Sequence, residues 1–187
     1  MPLAFFLLTL LMILLLIVTT VMIVSMLLSL VGSIFLRVPF VPMPRPIMLQ
    51  ALAQFEPVKE GAIFYDLGSG DGRTVFTFAK LHPTALAYGL ELGPFPYLIS
   101  IVKKFWIKQD NAHIYYKNLF SGNFTDADYV YLYLFPEINQ QLLPKLEKEL
   151  KNGARVVVCD FPFEAKQPTT TTEIPGRWKH VIYVYDF

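Results

Sequence analysis

The run Tyr65-Asp66-Leu67-Gly68-Ser69-Gly70-Asp71-Gly72-Arg73 constrains this chain more than any other. Ala62 to Tyr65 are apolar enough for an inner strand, and Thr74 to Leu81 carry the apolar positions of a following helix. Between them lie three alternating glycines, which can take positive φ and let backbone N–H groups approach a ligand closely. Strand, glycine turn and helix in that order predict a site for a nucleotide-like molecule. A Walker-type phosphate loop would close on Gly-Lys-Ser/Thr, whereas Arg73-Thr74 follow the last glycine here.

The acids of the turn choose among the remaining ligands. Asp66 leads the glycines and Asp71 sits among them, and both would repel a pyrophosphate. Beside a sulfonium and an α-ammonium the same carboxylates are attractive. The run resembles motif I of class I S-adenosylmethionine-dependent methyltransferases, which implies a cofactor site built from Asp66, Leu67, Gly68, Ser69, Gly70, Asp71 and Gly72. A second apolar strand, Ala85 to Leu90, ends in Glu91 about 20 residues beyond the glycines, where doubly wound folds place a ribose-hydroxyl acceptor.

Strands continue to alternate with helices, so the expected fold is α/β: a Rossmann-like, doubly wound, mostly parallel sheet. His113 to Tyr116, Tyr129 to Phe135 and Ala154 to Cys159 read as its third, fourth and fifth strands, and His180 to Tyr185 as a last one of either direction. Ligands in such sheets bind beyond the carboxyl ends of the strands. That rule adds Asn118 and Leu119 to the cofactor site, and Phe135, Pro136, Glu137 and Asp160 to the chamber where chemistry would occur. Phe95, Leu98, Ile99, Val102, Phe105 and Trp106 recur at helical spacing and read as a core stripe, with Lys103, Lys104 and Lys108 on a solvated face. Gln140 to Lys151 reads as a helix restarting at Pro144, with Glu147 and Lys151 paired at i, i+4. Thr169 to Thr172, between prolines, reads as a loop.

No charged side chain occurs before Arg37, and residues 1–36 exceed the roughly 20 apolar residues a bilayer core requires of a helix. A cleaved leader would show a basic n-region and a shorter apolar core, so a retained single-pass anchor is expected. Arg37, Arg45 and Lys59 follow the span, which by the positive-inside rule puts the large domain in the cytoplasm. The expected organisation is a transmembrane anchor over 1–36, a proline-rich tether over 37–46 and a catalytic domain over 47–187. The four prolines of that tether are expected to forbid a helix.

Composition excludes several classes. A net charge of +1 supplies no field to recommend nucleic acid as a partner. Cys159 is the single cysteine and lies in an apolar strand, where it reads as a small buried hydrophobe. His82, His113 and His180 are scattered without an i, i+4 partner, so no metal site is expected.

Val38-Pro39-Phe40-Val41-Pro42, Asp66 to Arg73, Tyr88-Gly89-Leu90-Glu91-Leu92 and Gly153 to Val158 together resemble the small membrane-anchored lysine methyltransferases related to the enzyme acting on the c-subunit of ATP synthase. That resemblance implies protein-lysine activity, a membrane-protein substrate at the bilayer, and a proline-aromatic segment whose Phe40 covers the cofactor. Two other functions compete with it. One is a small-molecule or lipid methyltransferase, and the other is a cofactor-binding membrane module without catalysis.

Overall fold

Strand β1 (Ile63–Leu67) pairs in parallel with β2 (Leu86–Glu91) on one side and with β4 (Tyr129–Leu132) on the other. The computed structural model describes residues 3–36, 41–176 and 179–187. Within these, β3 (Ala112–Tyr116), β5 (Arg155–Cys159), β6 (Thr170–Ile174) and β7 (His180–Asp186) complete a seven-stranded sheet of order β3-β2-β1-β4-β5-β7-β6. The first five strands are parallel, and β7 runs antiparallel between β5 and β6. From β1 the chain winds outward to β2 and β3, then returns to β4 on the opposite side. The carboxyl ends of β1 and β4 therefore flank the switch point, where this topology opens a crevice.

All four residues of β4 are buried, as expected of a strand covered on both faces. One layer holds α2 (Arg45–Leu52), α3 (Arg73–Leu81) and α4 (Pro94–Ile107); its core includes Met48, Phe55, Phe64 and Phe78. Phe64 and Phe78 stack there at 4.0 Å. The other layer is carried by α5 (Pro136–Glu149), whose Leu142, Leu143 and Leu146 pack with Leu132, Val156 and Val158. Cys159 is buried as expected, and burial pushes its thiol up to about 12.

Helix α1 (Leu3–Leu36) is long and apolar enough over Leu3–Leu28 to cross a membrane, with mean hydropathy 3.0 and none of that window buried in the protein. It lies against α4.

Several local expectations fail for identifiable reasons. Helix α2 begins at Arg45 inside the proline run, because Pro46 occupies the first helical turn, where its missing N–H is no loss. Thr170–Ile174 is an edge strand paired with β7, since a threonine run suits a half-exposed pleated surface better than a loop. Helix α5 ends at Glu149, so the helical pair is Lys145–Glu149, and Lys151 bonds Asp128 at 2.9 Å. The stripe of α4 is the largest correction. Val102 is 52% exposed, Phe105 73% and Trp106 76%, while the buried residues of this helix are Pro96 and Ser100. Periodicity locates an apolar face but does not say what covers it.

Candidate active site

A cavity of about 460 Å³ opens at the carboxyl ends of β1, β2 and β4. From β1 come Asp66 and the turn residues Gly68, Ser69, Gly70 and Asp71; from β2 come Leu90, Glu91, Leu92 and Gly93. Lys117, Asn118, Leu119 and Phe120 form a third side, and Tyr131, Tyr133, Leu134 and Phe135 a fourth. Val41, Pro42 and Met43 close it from the stretch before α2, and Phe161 from the stretch after β5.

The glycine turn is held to β2 by Glu91. Its carboxylate accepts the backbone N–H of Gly70 at 2.7 Å with one oxygen and that of Gly93 with the other. Those two bonds leave part of a four-site acceptor for a ligand. Burial raises the Glu91 pKa against the pull of these N–H groups. Backbone geometry requires glycine at particular positions here. Gly68 has φ +84° and a Cβ there would come within 2.5 Å of Leu134 Cδ2. At Gly89 a Cβ would meet Ser69 Oγ at 2.7 Å and Val75 Cγ2 at 2.8 Å, so strand and turn approach each other only because the side chain is absent.

The two aspartates of the turn have opposite environments. Asp66 is fully enclosed: burial, with Glu91 adding repulsion, pushes its carboxyl well above the usual range, and a hydrogen bond from Thr74 opposes this. Burial also pushes Asp71 up, but Arg73 and Lys103 outweigh it and hold the carboxyl at about 2. Arg73 Nη2 lies 2.8 Å from Asp71 Oδ2, and Lys103 Nζ reaches the same oxygen from α4. Lys103 is therefore a partner of the turn, not part of a solvated face. Ser69 Oγ is buried on the cavity wall without a hydrogen-bond partner among the described residues.

Residues 66–170 match the model of the ANTKMT methyltransferase domain. The chain belongs to this family. It is 33% identical over 151 residues to a protein-lysine N-methyltransferase of Saccharolobus islandicus, covering 79% of this chain and 92% of that protein. It is 32% identical over 150 residues to the human ATP synthase c-subunit lysine N-methyltransferase, covering 79% of this chain but 61% of the human protein. Against the rat protein of the same name the chain spans about half of the length, 54%, at 36% identity over 65% of this chain. Among solved structures, an RNA methyltransferase from Salinibacter ruber in complex with S-adenosyl-L-homocysteine superposes with a TM-score of 0.72 at 32% identity, covering 78% of this chain and 93% of that one. The chain is thus an S-adenosyl-L-methionine-dependent methyltransferase. The cavity suits that cofactor: it offers glycine backbone, the Ser69 hydroxyl that has no partner among the described residues, carboxylate oxygens of Glu91 and the apolar side chains of Leu92, Leu119 and Phe120.

Of the residues expected in the site, Asp66, Gly68, Ser69, Gly70, Asp71, Glu91, Asn118, Leu119 and Phe135 line the cavity. Leu67 points into the α5-side core, and Gly72 caps α3 behind the turn at φ +75°. Phe40 lies outside the described residues, although its neighbours Val41 to Met43 stand on the wall. Pro136, Glu137 and Asp160 are not on the wall. Pro136 begins α5 and Glu137 is exposed in its first turn. Asp160 takes φ +67° and turns toward β7, where it bonds His180 Nδ1 at 2.9 Å and the Val181 N–H at 3.0 Å. Tyr131, Tyr133 and Phe161 line the cavity in addition to the residues expected there. Alternation along Tyr129, Tyr131, Tyr133 and Phe135 was the available signal, since period two puts them on one face; the strand expected to run to Phe135 ends at Leu132, and Tyr133 and Phe135 reach the cavity from the stretch between β4 and α5.

Proposed function

We propose that this chain methylates a lysine side chain of a membrane-associated protein, with its domain held on the cytoplasmic side of the bilayer by α1. The observation that carries the reading is the wall of the cavity beyond Glu91, where Tyr133, Phe135 and Phe161 gather at the ends of β4 and β5. Phe135 and Phe161 lie parallel there, 6.5 Å between centroids. The lysine methyltransferases among the relatives support the acceptor class, and the apolar α1 supports the membrane.

Bound S-adenosyl-L-methionine supplies an electrophilic methyl carbon on a sulfonium sulfur. Gly68 to Asp71 would face its amino-acid end, Glu91 its ribose hydroxyls, and Asn118 and Leu119 its adenine. Asn118 Oδ1 already accepts the Phe120 N–H at 2.9 Å, which fixes the side chain against the loop. Remaining functions fall to the aromatic wall. A lysine amine must arrive neutral, and lowering a pKa near 10.4 to neutrality costs on the order of 4 kcal/mol. Rings that exclude water from the ammonium destabilise its charged form and supply part of that shift. The acids on the cavity wall are Asp66, Asp71 and Glu91, each engaged in the turn itself. We assign water exclusion and alignment to Tyr133, Phe135 and Phe161, with no dedicated carboxylate base.

The test is incubation of the full chain with methyl-labelled cofactor and membranes from its source. Label in a protein band, recovered on lysine after hydrolysis, is the expected result. Label confined to a lipid extract, or to a nuclease-sensitive fraction as the Salinibacter structure's name would suggest, overturns the lysine reading.

A further inference from the structure

Helix α4 carries two opposed surfaces. Its inner side belongs to the site: Pro96 lines the cavity, Lys103 reaches Asp71, and Tyr97 packs on the core. Its outer side holds Leu98, Ile101, Val102, Phe105 and Trp106, spaced i, i+3, i+4, i+7 and i+8. At 100° per residue these five share one face, with Lys104 along its flank and Lys108 just past the helix end. The last four are exposed even with α1 alongside, and Phe105 and Trp106 meet edge to face at 5.6 Å. An apolar helical stripe ending in Trp, bordered by lysines long enough to keep their charges in the head-group layer, is the composition of a helix lying flat in a membrane interface.

The neighbour decides the occupant. Helix α4 lies against α1, whose Leu3–Leu28 stretch is apolar and has none of its membrane-spanning window buried among the described residues. Helix α1 meets the helix that carries the second exposed apolar surface, so a bilayer that receives α1 is brought to the side of α4. We propose that the outer face of α4 lies in the interfacial layer of the same bilayer that α1 crosses. This rests on the membrane-anchor reading above. Because the first turn of α4 is also a wall of the cavity, the contact fixes the height of the cavity mouth above the lipid and presents it to segments at the membrane surface.

The test uses the full chain with Trp178→Phe, which leaves Trp106 as the single tryptophan. The protein is placed at one copy per nanodisc of mixed phosphatidylcholine and phosphatidylglycerol, with lipids brominated near the head of the acyl chain. Blue-shifted Trp106 emission that the brominated lipids quench is the expected result, and Phe105→Glu in the same background should reduce both effects while α1 keeps the protein in the disc. Trp106 emission that stays water-like in a disc-retained protein overturns the proposal and leaves the anchor standing. A blue shift without quenching also overturns it, since protein would then cover the face. Failure of the chain to remain in the membrane after alkaline carbonate washing sinks the anchor reading itself.

Discussion

Lys103 of α4 reaches across to Asp71 of the glycine turn and shares its Oδ2 oxygen with Arg73. This clamp joins α4 to the turn. Lys103 and Arg73 are each a little over one-third exposed, so solvent screens much of the attraction, and the clamp is worth about 1 kcal/mol. Lys103→Met should lower the melting temperature by roughly 2–4 °C, read by calorimetry in the detergent-solubilised chain. An unchanged melting temperature would show the clamp to be energetically idle.

The same carboxyl sets a pH dependence. Asp71 has its folded pKa depressed from 3.8 to about 2, so the stability it contributes is fully present above 3.8 and lost as pH falls through about 2. Wild type should therefore lose stability more steeply than Asp71→Asn between those values. Equal slopes in acid-melting curves of the two proteins would contradict the assignment.

Glu91 bonds two backbone N–H groups and keeps acceptor capacity toward the cavity. Charged hydrogen bonds are worth about 1.5–3 kcal/mol each. Glu91→Ala should weaken cofactor binding by roughly 10- to 100-fold by titration calorimetry. Glu91→Gln, which still presents one carbonyl oxygen, should fall between the two.

Gly89 is a test of packing without a ligand. A methyl group there collides with Ser69 and Val75, both fixed by the turn and by α3, so Gly89→Ala should cost about 1–3 kcal/mol in denaturant melts. Stability at the wild-type level would mean that β2 and the turn can move apart freely.

Phe135 and Phe161 divide binding from turnover. If their rings align the acceptor and exclude water, Phe135→Ala and Phe161→Ala should reduce kcat about tenfold or more while cofactor Kd changes little. A loss confined to cofactor affinity would move both residues to the cofactor's side of the cavity.

Local chain chemistry alone determined much of this protein: a glycine run after an apolar strand, an acid ending the next strand, alternating strands and helices, and a charge-free opening helix. Each depends on neighbours in sequence, where steric allowance, periodicity and spacing decide the outcome. Tertiary structure decided where those pieces face. It turned Asp160 toward His180, drew Lys103 onto Asp71, brought Tyr133 and Phe161 to one wall, and left the apolar stripe of α4 uncovered. Periodicity is a property of one helix or strand, whereas burial and charge pairing belong to two surfaces at once; only the packed chain says which surfaces meet.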